Sequence, residues 1–164
     1  MGTLSVQYTS GMDARAVAQA AKIDVNTLNS WVQRGQVFGM STGSRGRRRD
    51  FDLDTATRVA IVAELVQLGM AAKTAVFAAG QPGDRLFPLL LVFATRERIE
   101  ESGRWPAGIR WFGLSSATQI PDAIEQYFPD DPPSSYAVIN VDVLRERMRR
   151  AEEEWQQARG ETKQ

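Results

Sequence analysis

Apolar residues in the first half of the chain recur at helical spacing. In "DARAVAQAAKI", Ala14, Val17, Ala18 and Ala21 fall three and four residues apart, which predicts a short amphipathic helix. In "DVNTLNSWVQRG" the same spacing places Val25, Leu28, Trp31 and Val32 on one face. Asp24 stands where a carboxylate accepts first-turn amides, and Gly35 supplies a stop. "DLDTATRVAIVAELVQLGM" sets Val59, Val62, Ala63 and Val66 on one face behind a cap at Asp52 or Asp54, and "AAKTAVFAA" predicts a further helix ending at Gly80. After the turn "GQPGD" the pattern changes. "FPLLLVFA", "IRWFGL" and "SYAVINV" are short continuous apolar runs, which predict buried strands. "TRERIEES" and "IPDAIEQYF" between them predict short helices, and a long helix is expected over 142–159.

Between the second helix and Phe51 lies "QVFGMSTGSRGRRRDF". Residues 36–40 predict a strand, 41–46 a Gly/Ser turn and 47–51 a returning strand. Two short helices joined by a few residues, with alanines where they cross, predict a helix-turn-helix, and a hairpin directly after it is a wing. The expected fold is therefore α+β. Residues 1–11 are a flexible lead, 12–82 a winged helix-turn-helix, and 84–164 a small α/β domain. That second domain has about three strands, expected to form a parallel sheet because strands and helices alternate.

Composition narrows the chemistry. The 164 residues include no cysteine and no histidine, which removes disulfides, thiolate or imidazole metal sites and His-based catalysis. No phosphate-cradling glycine loop and no Ser-Lys or Asp-Asp constellation stands out, and Ser115 and Ser116 have no evident base. No enzymatic activity, metal or cofactor is expected. No apolar run approaches a membrane span, and the start of the chain lacks the pattern of a signal peptide, so a cytoplasmic protein without membrane contact is expected. The aromatics Trp105, Trp111, Phe112, Tyr127 and Phe128 are expected in the core rather than around a ligand.

The formal net charge of zero hides an asymmetry. Residues 12–50 hold seven basic and three acidic side chains, and residues 51–164 hold thirteen and seventeen. A basic module on an acidic body binds a polyanion locally while the whole protein stays neutral. The outward face of the second helix is Asn26, Thr27, Asn29, Ser30 and Gln33, followed by Arg34, with no acid among them. Asn and Gln amides bond both edge atoms of adenine in the major groove, and Ser and Thr reach phosphates or bases. Arg45, Arg47, Arg48 and Arg49 crowd the tip and return strand of the hairpin, where they are expected to track phosphates or enter the minor groove of double-stranded DNA.

With these parts in order, residues 12–80 resemble the winged helix-turn-helix DNA-binding domain of the MerR family and its phage relatives. The resemblance rests on "VAQAAKIDVNTLNSWVQRGQV", on the wing ending "GRRRDF" and on "DLDTATRVAIVAELVQLGM". Val25, Thr27 and Leu28 match the pattern that opens the family's recognition helix, and Trp31 matches its supporting aromatic. Gly35 and Val37 match the lead into the wing, Phe51 its closing aromatic, and Arg48 or Arg49 its arginine. The chain departs at Asn29, where family members carry Arg, and at Ser30 and Val32, in place of a Tyr-Glu pair. That implies different groove contacts, or more of the binding on the wing. The resemblance implies a sequence-specific transcriptional regulator of phage or mobile-element type.

Residues 84–164 are then expected to dimerise the chain or to receive a small-molecule or protein effector. In the last helix Val141, Leu144, Met148, Ala151 and Trp155 recur at steps of three and four, a short coiled-coil seam. Arg145, Arg147, Arg149 and Arg150 precede Glu152, Glu153 and Glu154, the reverse of what the helix dipole favours. An antiparallel partner helix would balance both halves, and MerR-family members dimerise in that way, so a homodimer is expected; the competing reading is a helix packed on its own sheet with its charges solvated. The alternative is the DNA-recognition subunit of a phage machine, a terminase small subunit or an excisionase-like architectural factor. A third reading is a protein-interaction module with an incidental basic hairpin.

Overall fold

Asp13 sets the start of the first helix. Its carboxylate accepts the Ala16 amide at 2.9 Å, and α1 runs Ala14–Ala20. The computed structural model describes residues 11–33, 50–80, 87–94, 109–130, 133 and 136–161. Just before α1, Met12–Asp13 form a two-residue strand, β1, which the apolar pattern does not announce. It pairs antiparallel with β2, Asp50–Phe51, so that Met12 faces Phe51 and Asp13 faces Asp50. Met12 and Phe51 are fully buried. Gly11 makes this approach feasible, because a Cβ there would lie 2.8 Å from the Asp50 Cβ. Residues 36–49 of the expected wing lie outside the described residues.

The turn from α1 to α2, Val25–Gln33, is a Schellman motif. The Ile23 amide donates to the Ala18 carbonyl at 3.0 Å and the Lys22 amide to the Gln19 carbonyl at 3.1 Å, with Lys22 left-handed at φ 58°. The end of α3, Leu53–Gln67, repeats the motif with Gly69 at φ 92° in the corresponding position. A side chain in that conformation costs about 1–2 kcal/mol, and glycine gives back only part of it as unfolded-chain entropy. Lys22→Gly is therefore expected to stabilise the protein by roughly 0.5–1 kcal/mol. The measurement is a higher urea midpoint at unchanged slope.

Of the two aspartates expected to cap α3, Asp52 takes the position, accepting the Thr55 amide at 2.7 Å. The helix is nearly buried all round, with Val59, Ala60, Ile61, Val62, Ala63 and Leu65 in the core. It packs on α4, Ala72–Gly80, whose last turn receives an Arg58 guanidinium bond on the Ala79 carbonyl at 2.7 Å. That places positive charge at a helix C-terminus, where the dipole favours it.

The three expected strands form one sheet, ordered β4-β3-β5: β3 Leu89–Ala94, β4 Ile109–Leu114 and β5 Tyr136–Asn140. Both pairings are antiparallel, not parallel as expected. Leu90 and Val92 on one face and Leu91 on the other are all buried because β3 is central, and burial on two faces carries no information about strand direction. On one face Leu91 and Leu114 pack with Ala123 of α5, Ile120–Tyr127, where Phe112 stacks on Tyr127 at 3.9 Å between ring centroids. On the other face Leu90, Val92 and Ile139 join the core of the N-terminal helices. The helix expected at "TRERIEES" lies outside the described residues.

The last helix, α6 Val141–Glu161, differs from expectation in what covers its seam. Val141, Leu144 and Met148 are buried in the chain's own core, with Ala151 packed on its edge, and the helix lies against α1 and α3. Trp155, the last seam residue, is half-buried, with the Arg159 guanidinium 4.5 Å from its ring centroid. The charge problem is also resolved within the chain. Arg145 pairs with Asp54 and Arg147 with Glu64 at 3.3 Å, both acids on α3. Arg149 bonds Glu146 and Glu153, and Arg150 bonds Glu146 at 3.0 Å. The Arg149 hydrogen bond, reinforced by that of Arg150, holds the Glu146 carboxyl down to about 2. A lowered carboxylate supports the fold above its ordinary titration range and loses that effect as pH falls through about 2. Exposed pairs contribute about 0–1 kcal/mol each, against about 1.5–3 for each buried aliphatic side chain, so the apolar seam holds α6 in place.

Candidate nucleic-acid interface

The candidate site is built on α2. Asp24 accepts the Asn26 amide at 2.7 Å through its carboxylate, and its carbonyl accepts the Leu28 amide at 3.1 Å, so it caps the helix as expected. Leu28, Trp31 and Val32 are buried, with exposures of 0%, 6% and 1%. They rest on α1, whose Val17, Ala18 and Ala21 are also buried, the alanines allowing close approach of the two helices. Burial of that stripe leaves the opposite face outward. Asn26, Thr27 and Gln33 are exposed, and Asn29 and Ser30 are half-exposed. The helix thus presents amides and hydroxyls to solvent on a rigid support.

Among the described residues no acid of α2 lies on that face. Asp24 stands at its N-terminal edge with its carboxylate engaged by the helix. Arg15 on α1 and Lys22 in the turn add exposed positive charge to the same module, and the sequence pattern singles out neither. Arg34, Arg45, Arg47, Arg48 and Arg49 lie outside the described residues. The chain returns from that basic stretch at Asp50–Phe51, and β2 lies against both α1 and α3.

A second feature is a cleft of about 1170 Å³ between α1, the sheet and α6. Gln19 and Lys22 border it from the helix pair, Pro88 and Asn140 from the sheet, and Arg150 and Trp155 from α6. Of the aromatics weighed for a pocket, Phe112, Tyr127 and Phe128 do not line it. Phe112 and Phe128 pack on the Leu91–Leu114 cluster, whereas Tyr127 is exposed and not in the core as expected, and Trp105 and the Trp111 side chain lie outside the described residues. Among the described residues no helix is long and apolar enough to cross a membrane. No family model matches the chain, and no curated protein matches it.

Proposed function

We propose that the protein is a sequence-specific double-stranded DNA-binding regulator that lays α2 in the major groove. The basic segment 36–51 would lie on the phosphate backbone or in the adjacent minor groove. One observation carries the reading: the exposed face of α2 is made of Asn26, Thr27, Asn29, Ser30 and Gln33, without an acid, while its other face is locked on α1. Solvated helix faces in soluble proteins ordinarily mix acids with bases, as the exposed part of α6 does. Amides and hydroxyls on a rigid helix are the groups that read base edges. Four arginines within residues 45–49 supply the sequence-independent part of the affinity. The cleft between α1 and α6 is where an effector would touch the recognition module and the C-terminal sheet together.

The test is selection of bound sites from random duplex DNA, followed by titration of Asn29→Ala. A bidentate amide pair discriminates by about 1–3 kcal/mol. The variant is expected to lose preference at one position of the selected site by that amount and to bind random DNA nearly as before. Equal loss on specific and random DNA would make Asn29 a phosphate-positioning residue and remove the base-reading role.

A further inference from the structure

We propose that two copies of this chain associate by antiparallel pairing of their β5 strands, Tyr136–Asn140, edge to edge about a two-fold axis at Val138. One hydrogen bond fixes which way the strand's backbone groups point. The Val141 amide donates to the Pro88 carbonyl at 2.8 Å, one step beyond the register that sets Leu89 opposite Asn140 and Leu90 opposite Ile139. In an antiparallel pair, bonded and non-bonded positions alternate. Val141, Ile139 and Ala137 therefore direct their backbone polar groups toward β3, and Asn140, Val138 and Tyr136 direct theirs away from it. Among the described residues no strand pairs with that outer side.

The side chains agree with an unfilled edge. Tyr136 and Val138 are large apolar residues with exposures of 51% and 39%, on the strand whose outward backbone groups pair with no strand among the described residues. Edge strands are ordinarily protected by lysine, proline, a bulge or an inward charge, and "YAVIN" carries none of these. The strand suits a copy of itself. Centred on Val138, the two-fold sets Val138 opposite Val138 of the second copy, and Tyr136 opposite Asn140 of the second copy. All of these are outward-bonding positions, so the ladder closes without a register shift. With no charged residue from 136 to 140, self-pairing brings no like charges together. The α6 seam is occupied inside the chain, and of the two edge strands of this sheet, β4 carries Arg110 whereas β5 is free of charge from 136 to 140. The pairing does not depend on DNA binding, and its failure would leave that reading untouched.

The chain has no cysteine, which makes the test direct. Opposed residues in a bonded antiparallel pair have Cα atoms about 5.5 Å apart, within the roughly 4.4–6.8 Å that a disulfide spans. Oxidised Val138→Cys is expected to run almost wholly as a covalent dimer. Tyr127→Cys, exposed on α5, is expected to stay uncrosslinked although its β5 edge still pairs. Val138→Lys should raise the dimer dissociation constant by more than about tenfold with an unchanged urea midpoint measured on the monomer, and mixing it with Val138→Glu should restore association. Wild-type protein that sediments as a monomer at high micromolar concentration would overturn the proposal. So would equal crosslinking of both cysteine variants, or a dimer indifferent to lysine at 138.

Discussion

Phe51→Ala is expected to destabilise the protein by about 3–5 kcal/mol, a large share of the roughly 5–15 kcal/mol that holds a domain of this kind together. Among the described residues Phe51 heads the fully buried side chains by volume, and the strand that carries it is two residues long. Its position is fixed by Met12 across the ladder and by α1 and α3 on either side. Truncation leaves a cavity bounded by two helices that their own packing holds apart, so little collapse can fill it. Urea unfolding followed by circular dichroism measures the loss. DNA affinity should fall with it, because Phe51 anchors the chain two residues after Arg49. A loss under about 1 kcal/mol would mean that the β1–β2 ladder lies outside the cooperative core.

Met148→Ala is expected to cost about 2–5 kcal/mol. Met148 is fully buried in the cluster that joins α6 to the N-terminal helices and to Leu90, Val92 and Ile139 of the sheet. Because that cluster is continuous, the two halves of the chain should lose stability together, in one transition seen alike by tryptophan fluorescence and far-ultraviolet dichroism. In the Val138→Lys background, where the β5 edge does not pair, the midpoint should not depend on protein concentration. A midpoint that still rises with concentration there would put Met148 in a seam between chains and contradict its burial within one.

That contrast marks what periodicity contains. Steps of three and four through Val141, Leu144 and Met148 identify the buried stripe of α6 correctly, but the pattern is the same whether a second copy or α1 and α3 cover it. Two of the four arginines that suggested a partner helix, Arg145 and Arg147, meet Asp54 and Glu64, acids 91 and 83 residues away in sequence. Such distant pairings leave no local trace. Strand direction is equally silent, since Leu90 and Leu91 are apolar for opposite faces of the sheet. β1 is too short for any period, and only its pairing with Asp50–Phe51 reveals it. The candidate site is more legible. Asp24 as cap, Leu28, Trp31 and Val32 as the inward stripe and Asn29 on the outward face all follow from local rules of capping and amphipathicity.

If α2 reads bases while the neighbouring arginines grip the backbone, specificity and salt dependence should separate. The most direct measurement is a titration of the intact protein against random duplex DNA and against the sequences selected from it, at several salt concentrations. Selected sites are expected to bind at least about a thousandfold more tightly than random DNA. Log affinity is expected to fall linearly with log salt. Arg47→Ala and Arg48→Ala should each flatten that slope by roughly one, because one phosphate fewer is neutralised. No enriched sequence after selection, together with a salt slope that these two substitutions leave unchanged, would contradict the DNA-reading role of α2 and its basic neighbour.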